Sequence, residues 1–178
     1  MSETGHQPST VRHPDRRVAR TRTAIVDAFT DLARSSPVRD ITVSELSDRA
    51  QIGRSTFYDH FDGIEDLLCW LVDELVTEMS ADDGHLQLDE LLAFVGGMPE
   101  VSRAFLEIES CAERCRTALA EAFPCSNPSA RYFAAAGTMG LLTQWLHSEQ
   151  PVPLNELIGD IHALVEAVIA SPAGPQAT

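Results

Sequence analysis

An arginine, two hydroxyl side chains and a phenol lie within five consecutive residues, from Arg54 to Tyr58. A guanidinium can donate two parallel hydrogen bonds to a guanine edge, and hydroxyl groups can donate to phosphate oxygens. At 100° per residue, Phe57 and Phe61 point to one side of a short helix and the polar side chains point to the other. The pattern predicts a short helix that is anchored by its aromatic side and presents Arg54 to the major groove of DNA.

A second short helix is predicted immediately before this one. Thr42 is a favourable N-cap, and Glu45 three positions later completes a capping box. Ile41 and Leu46 stand where a hydrophobic staple holds the start of a helix. The two helices and the tight turn between them form a helix-turn-helix, whose second helix needs packing because it is too short to be stable alone.

The remaining chain has helical periodicity and no strand signals, so an all-α fold is expected. Asp62 is the expected N-cap of the helix that follows the helix-turn-helix. The helix near 128–147 is apolar nearly all round, and the last helix, after Pro153, has a wide apolar stripe. Helices are expected at about 15–34, 63–80, 86–95, 99–122 and 128–147. A last helix is expected from after Pro153 to about residue 170.

The run from Ile41 to Leu68 resembles the DNA-binding domain of the TetR/AcrR family of bacterial transcriptional regulators. The resemblance covers about Thr21 to Val76 and implies an N-terminal three-helix DNA-binding domain and a C-terminal helical ligand-binding and dimerisation domain. The residues that carry it are Thr42, Ala50, Arg54, Ser55, Thr56, Phe57, Tyr58, His60 and Phe61. The expected organisation is a disordered arm at 1–14, the DNA-binding domain at 15–62, the second domain at 63–170 with a linking helix at 63–80, and a loose tail at 171–178.

Candidate DNA contacts follow from the residue types and the resemblance. Arg54 is the candidate for base reading, and the resemblance implies a phosphate contact for the hydroxyl of Tyr58. Ser55 and Thr56 could equally favour the turn, and a packed histidine is an alternative at residue 60. The other candidates are Thr21, Arg22, Thr42, Ser44, Ser55, Thr56 and His60, and Arg16, Arg17 and Arg20 are either further phosphate or minor-groove contacts or solvated charges.

Three residues depart from the family pattern. Gln51 occupies a turn position where glycine is usual, which predicts a slightly strained backbone. Ile64 stands where the family often has a lysine that bonds phosphate. Asp59 places a negative charge near the DNA-facing side. Each departure is expected to affect affinity for DNA more than function.

The charge is distributed unevenly along the chain. The net charge is −14, yet residues 1–62 hold nine arginines and nine acidic residues and are neutral in sum. Residues 63–178 hold four arginines and eighteen acidic residues, so they carry the whole negative charge. We expect the acidic part to face away from DNA and non-specific affinity to be weak.

The resemblance also implies partners for the C-terminal helices. The expected assembly is a homodimer through the last two helices, whose apolar surface exceeds what one subunit covers, on a palindromic double-stranded operator. A plain intramolecular core is the alternative for these two helices. Most family members are repressors, and release by an unknown small-molecule effector is expected. Candidate effector contacts are Trp70, Phe94, Met98, Phe105, Phe123 and Trp145, for each of which core packing is the alternative.

Other functional classes have less support. No phosphate-binding glycine loop, metal-ligand motif or nucleophile–base pair is present, so no enzyme, cofactor or metal is expected. One alternative is a helical ligand- or partner-binding protein whose DNA-binding domain has lost its target. Another is a thiol sensor using Cys111 and Cys115, although buried small hydrophobes are the simpler interpretation of these cysteines. With no signal pattern at the N-terminus and no apolar run that could span a bilayer, the expected location is the cytoplasm.

Overall fold

The computed structural model of the chain describes residues 16–80, 87–149 and 151–170. The described residues form α-helices joined by short connections, with a 3₁₀ turn at Val38–Asp40 and no β-strand. The all-α prediction is confirmed. The helices are α1 (Arg16–Ala33), α2 (Val43–Arg49), α3 (Arg54–Tyr58), α4 (Ile64–Glu78), α5 (Leu88–Gly97), α6 (Pro99–Glu107), α7 (Glu109–Ala122), α8 (Pro128–Leu146) and α9 (Leu154–Ile169).

The first three helices pack around a few large apolar side chains. Phe29 of α1, Leu46 of α2 and Phe57 of α3 are almost completely buried in one cluster. Burying one such side chain stabilises the fold by roughly 1.5–3 kcal/mol. Since α3 has only five residues and cannot be stable alone, this burial is what holds it in place.

The α4 helix extends the same core into the rest of the molecule. Leu67 and Leu68 share the cluster with Phe57, and the cluster continues through Val72 to Phe105 on α6. The expectation that Asp62 caps α4 is wrong, because Gly63 occupies the N-cap position. Asp62 lies one residue too early, and its backbone N–H instead donates to the Asp66 carboxylate at 3.1 Å.

A single helix was expected at 99–122, and the structure has two. Ile108 adopts an extended conformation, with φ −90° and ψ 114°, which ends α6 and starts α7. The sequence contains no proline or glycine at this point. Both helices pack against α4 and α8, and α6 packs in addition against the 3₁₀ turn and α1. With no local breaker in the sequence, we attribute the break to this tertiary packing.

The last two helices pack against each other and against the helices before them. Asn127 caps α8 by accepting the Ser129 N–H at 3.0 Å. The inner side of α8 is buried through Ala135 and Leu142, whereas Phe133 on its outer side is 67% exposed. Within one subunit, α8 is therefore buried on one side only.

Two predicted segments lie outside the described residues, namely the arm at 1–14 and the tail at 171–178. The division at residue 62 stays a prediction, and the shared core of α3, α4 and α6 shows that the two parts pack on each other.

Candidate nucleic-acid interface

The α3 helix has one buried and one exposed side. Phe57 and Phe61 are 0% and 3% exposed, which confirms the predicted inward orientation of both rings. Tyr58 is 56% exposed, and Arg54 and Ser55 are exposed as well. Within the ranges that the structure describes, Arg54 forms no ion pair, so its guanidinium is available for a ligand.

Aromatic contacts fix α3 against its neighbours. The Phe57 ring meets the Tyr58 ring edge-on, with 5.6 Å between centroids. Phe57 also lies 5.8 Å from Phe61, and Phe61 lies 5.6 Å from Trp70 of α4. The Tyr58 ring is thus positioned by the buried rings while its hydroxyl end remains in solvent.

Arg22 makes contacts inside the protein. Its guanidinium carbon lies 5.2 Å from the centroid of Trp70 and 5.9 Å from that of Phe61. A cation over an indole is attracted by the ring quadrupole, so Arg22 fastens α1 to α4. Its Nε is buried without a hydrogen-bond partner among the described residues. A phosphate contact by Arg22 stays a prediction, and it would have to use the outer edge of this guanidinium.

The hydroxyl candidates differ in whether their proton is free. The Thr42 hydroxyl accepts the Glu45 N–H at 3.2 Å, as the capping prediction requires, and keeps its own proton for a phosphate. The Thr21 hydroxyl donates to the Arg17 carbonyl at 3.0 Å, so it would have to give up this bond. Ser44 is exposed, whereas Thr56 and His60 are half-buried.

The turn between α2 and α3 contains the strained residue that the sequence predicted. Gln51 has a φ of 55°, and it is the only non-glycine residue with a positive φ in the described ranges. The turn is closed by hydrogen bonds from Gln51 to Asp48 and from Ile52 to Ser47. Of the other two departures, Ile64 packs against the core and Asp59 is exposed.

A small apolar cavity lies among α4, α5, α6, α7 and α8. Its volume is about 50 Å³. Phe94 and Phe105 line it as stacked rings with centroids 6.4 Å apart. The Ser102 hydroxyl, which also lines it, is buried and has no partner among the described residues. The other four predicted effector contacts do not line this cavity: Trp70, Met98, Phe123 and Trp145.

Those four side chains have other surroundings. Trp70 packs against Phe61, and the Trp145 indole donates to the Val152 carbonyl at 2.8 Å. Met98 packs at the edge of the first core cluster, and Phe123 is buried between α7 and α8. Sequence reasoning missed Ser102, although its place three residues before Phe105 puts both on one side of α6.

The outer side of α8 and α9 has an apolar groove of about 320 Å³. Phe133, Gly137 and Leu164 are among the residues that line it. A Cβ atom added to Gly137 or Gly140 would meet no atom within 4 Å. Three of the five large apolar side chains that are exposed in the described ranges lie on these two helices: Tyr132, Phe133 and Leu164.

Two curated proteins are similar to this chain in sequence. One is an uncharacterized HTH-type transcriptional regulator, YxbF, of Bacillus subtilis, which is 41% identical over 101 residues, or 49% of this chain and 27% of the relative. The other is the HTH-type dhaKLM operon transcriptional activator DhaS of Lactococcus lactis, 36% identical over 63 residues, or 35% of this chain and 34% of the relative. The matches thus span about a third or less of these relatives. No protein-family model matches the chain.

Solved structures match over most of the chain. A TetR transcriptional regulator from Streptococcus agalactiae has a TM-score of 0.60 at 24% identity, covering 85% of this chain and 96% of its own. The dihydroxyacetone kinase operon activator DhaS has a TM-score of 0.60 at 22% identity, with coverage of 84% and 96%. A TetR transcriptional regulator from Rhodococcus has a TM-score of 0.62 at 16% identity, with coverage of 86% and 98%. These similarities show the fold, and all the relatives are named as regulators and none as an enzyme.

Proposed function

We propose that this chain, which has the fold of the TetR-type transcriptional regulators and shares sequence with HTH-type regulators, is a DNA-binding transcriptional regulator. The observation that carries the proposal is the geometry of α3. Its back is held by the buried ring of Phe57, and Arg54 and Tyr58 project into solvent. Such a helix can enter a major groove without rearrangement, and an exposed arginine can pair with guanine there.

The functional unit is a homodimer that buries the outer sides of α8 and α9. The apolar groove and the exposed Phe133 and Leu164 support this interface, because water contacts them in a single subunit. A two-fold axis gives two copies of α3, which can occupy successive major grooves about 34–36 Å apart on a palindromic operator. The proposed location of this activity is the cytoplasm, as expected from the sequence.

The cavity among α4 to α8 is the proposed effector site. At about 50 Å³ it is far below the ~300–1,000 Å³ of ordinary ligand pockets. An effector larger than a few atoms must therefore separate the helices as it binds. Val72 and Leu75 of α4 line the cavity, and Leu67 of the same helix packs in the core of the DNA-binding domain. Differential affinity for two positions of α4 would couple effector and DNA.

Two sources bear on whether the protein represses or activates transcription, and they favour opposite answers. The family resemblance favours a repressor that the effector releases. The relative DhaS is named as an activator, which favours an activator instead. Both use the same coupling through α4 and differ in which position of α4 the effector stabilises. Transcription of a template carrying the selected operator, with and without the protein, distinguishes them, because a repressor lowers the transcript level and an activator raises it.

The decisive experiment is selection of bound duplexes from a random DNA pool with the purified full chain. We expect enrichment of an inverted repeat with half-sites one helical turn apart or a multiple of it. The matched control is a variant with both Arg54→Ala and Tyr58→Ala, which should enrich the repeat more weakly and with one position of each half-site no longer specified. Binding without sequence preference that disappears as salt rises would instead support the alternative of a helical ligand- or partner-binding protein whose DNA-binding domain has lost its target.

A further inference from the structure

Two cysteines that are distant in the sequence meet in the core. The Sγ atoms of Cys69 on α4 and Cys111 on α7 lie 3.3 Å apart, and both residues are free thiols. Cys69 is 7% exposed and Cys111 is 0% exposed. The sequence singled out Cys111 with Cys115 as neighbours on one helix, whereas the structure brings Cys111 against a residue 42 positions away.

The two thiols differ in access from solvent. Cys69 lines an open pocket of about 350 Å³, together with Glu65, Ser110 and Arg114. The Cys69 thiol donates to the Ser110 hydroxyl at 3.3 Å, and that hydroxyl donates to Glu65 at 2.7 Å. Cys111, by contrast, is completely buried. A small oxidant therefore reaches Cys69 first.

The chemistry of the pocket indicates the class of oxidant. Asp62, Glu65 and Asp66 line it and disfavour an anionic reagent, so a neutral hydroperoxide fits best. Burial and the contact with Cys69 raise the pKa of the Cys111 thiol to about 12, which keeps it protonated at neutral pH. Cys111 is for this reason the second thiol to react, and Cys69 is the first.

We propose that Cys69 and Cys111 form a reversible intramolecular disulfide when the protein meets a hydroperoxide. The Cys69 sulfur attacks one peroxide oxygen, the O–O bond breaks, Cys69 is oxidised to a sulfenic acid, and the other oxygen leaves with the Cys69 proton, as water when the reagent is hydrogen peroxide. The Cys111 sulfur then attacks Cys69 Sγ, the S–O bond breaks, and water leaves with the proton of the Cys111 thiol. With hydrogen peroxide, two thiols and one peroxide give one disulfide and two waters.

The disulfide joins the helix that links the two parts of the molecule to α7. An S–S bond is about 2.05 Å long, so the two sulfurs must approach by about 1.2 Å from their present separation. Since α4 also carries core contacts of the DNA-binding domain, this movement reaches α3. The consequence for DNA rests on the proposed function, whereas the disulfide itself does not. Transient redox-sensing disulfides are the kind found in cytosolic proteins.

The test uses the full chain, reduced and then treated with hydrogen peroxide. We expect the intact mass to fall by two hydrogen atoms and a non-reduced digest to yield one linked peptide pair holding Cys69 and Cys111. Cys111→Ser should leave a sulfenic acid on Cys69 that dimedone labels. Cys115→Ser and Cys125→Ser, the matched controls, should still form the bond. A disulfide between any other pair of cysteines, or an unchanged mass, overturns the proposal. Both outcomes are read from the wild-type chain, so the test does not depend on whether the variants fold.

A second measurement separates the disulfide from the regulator hypothesis. We expect the affinity for the selected operator to change at least tenfold between the reduced and oxidised wild type and to return on reduction. An unchanged affinity would refute the coupling to DNA while the mapped bond stands. Absence of sequence-specific binding in both states would refute the proposed function and leave the peptide map to decide the disulfide.

Discussion

Arg54 and Tyr58 lie on the exposed side of one five-residue helix, yet they are suited to different parts of a DNA duplex. A guanidinium matches the paired acceptors of guanine, whereas a phenol offers one donor that fits a phosphate oxygen. The first contact distinguishes sequences and the second only fixes the position of the protein. Each role can therefore be tested by the kind of affinity that is lost.

Replacing Arg54 by alanine should cost roughly 1–3 kcal/mol against the preferred operator and relax selectivity at one position of each half-site. Arg39→Ala removes the same charge from an exposed arginine in the 3₁₀ turn and should keep selectivity. Tyr58→Phe should weaken binding to all sequences alike. Fluorescence anisotropy with operator and mismatched duplexes measures these effects, and unchanged discrimination in Arg54→Ala would remove this residue from base reading.

Gln51 holds the turn between α2 and α3 at a φ of 55°. A Cβ atom in the left-handed region costs roughly 1–2 kcal/mol, and the greater freedom of glycine in the unfolded chain offsets about 0.5–1 kcal/mol of that. Gln51→Gly should therefore raise the free energy of unfolding by up to about 1.5 kcal/mol. Gln51→Ala keeps the Cβ and should leave it nearly unchanged. Urea denaturation measures both free energies of unfolding. Equal urea midpoints for Gln51→Gly and Gln51→Ala would contradict backbone strain at residue 51.

At the scale of the elements, α4 is the helix that every functional hypothesis shares. Its first turns pack Leu67 and Leu68 into the core around Phe57, its middle carries Cys69 against α7, and Leu75 lines the cavity. A helix is stiff along its axis, so a shift at any of these points is transmitted to the others. Effector binding and thiol oxidation thus have a common path to α3.

The end of α8 is attached to α6 through His147. Its Nδ1 lies 2.8 Å from the Thr143 carbonyl and its Nε2 lies 3.0 Å from the Glu107 carboxylate. The hydrogen bond to Thr143, and next the one to Glu107, raise the pKa of His147 above its usual value. A raised pKa means that the folded state binds the proton more tightly than the unfolded chain does.

The stability that His147 supplies should therefore be complete below about pH 6.5 and decline as pH rises through its folded pKa. Wild type should lose stability relative to His147→Gln over this rise. The effect should be small because the ring is exposed. Urea midpoints across pH measure it, with Glu107→Gln as a control that should remove part of the same dependence. A stability advantage of wild type over His147→Gln that grows toward high pH would contradict the raised pKa.

The whole molecule has two unlike ends. The first 62 residues are neutral in sum, whereas the remainder carries −14. In the proposed complex, DNA would therefore repel the acidic part and not the neutral part, which would orient the protein before any contact forms. The apolar outer side of α8 and α9 belongs to the acidic part, so in the proposed dimer the burial of apolar surface would have to outweigh the repulsion between two subunits.

Placing a charge on that outer side should separate the subunits. Phe133→Asp is expected to give monomers, because a carboxylate buried in an apolar interface pays a large desolvation cost. Val152→Asp alters an exposed apolar residue outside the two helices and should leave the dimer intact. Sedimentation over a range of concentrations measures the assembly. A dimeric and folded Phe133→Asp variant would exclude this side as the interface.

The sequence by itself determined the helix-turn-helix and its inward and outward sides. The Thr42 cap and the burial of Phe57 and Phe61 follow from spacings of three and four residues, which are local interactions that the chain order fixes. The strain at Gln51 was predicted from the family resemblance, because glycine is usual at this turn position.

Only the tertiary structure decided which distant side chains meet. The break at Ile108, the placement of Arg22 over Trp70 and the partner of Cys111 all depend on how whole helices pack. Periodicity tells which side of a helix is buried but not which helix covers it, because many packings bury the same apolar area. The packing that the helices adopt places Cys69 against Cys111 and Ser102 at the cavity.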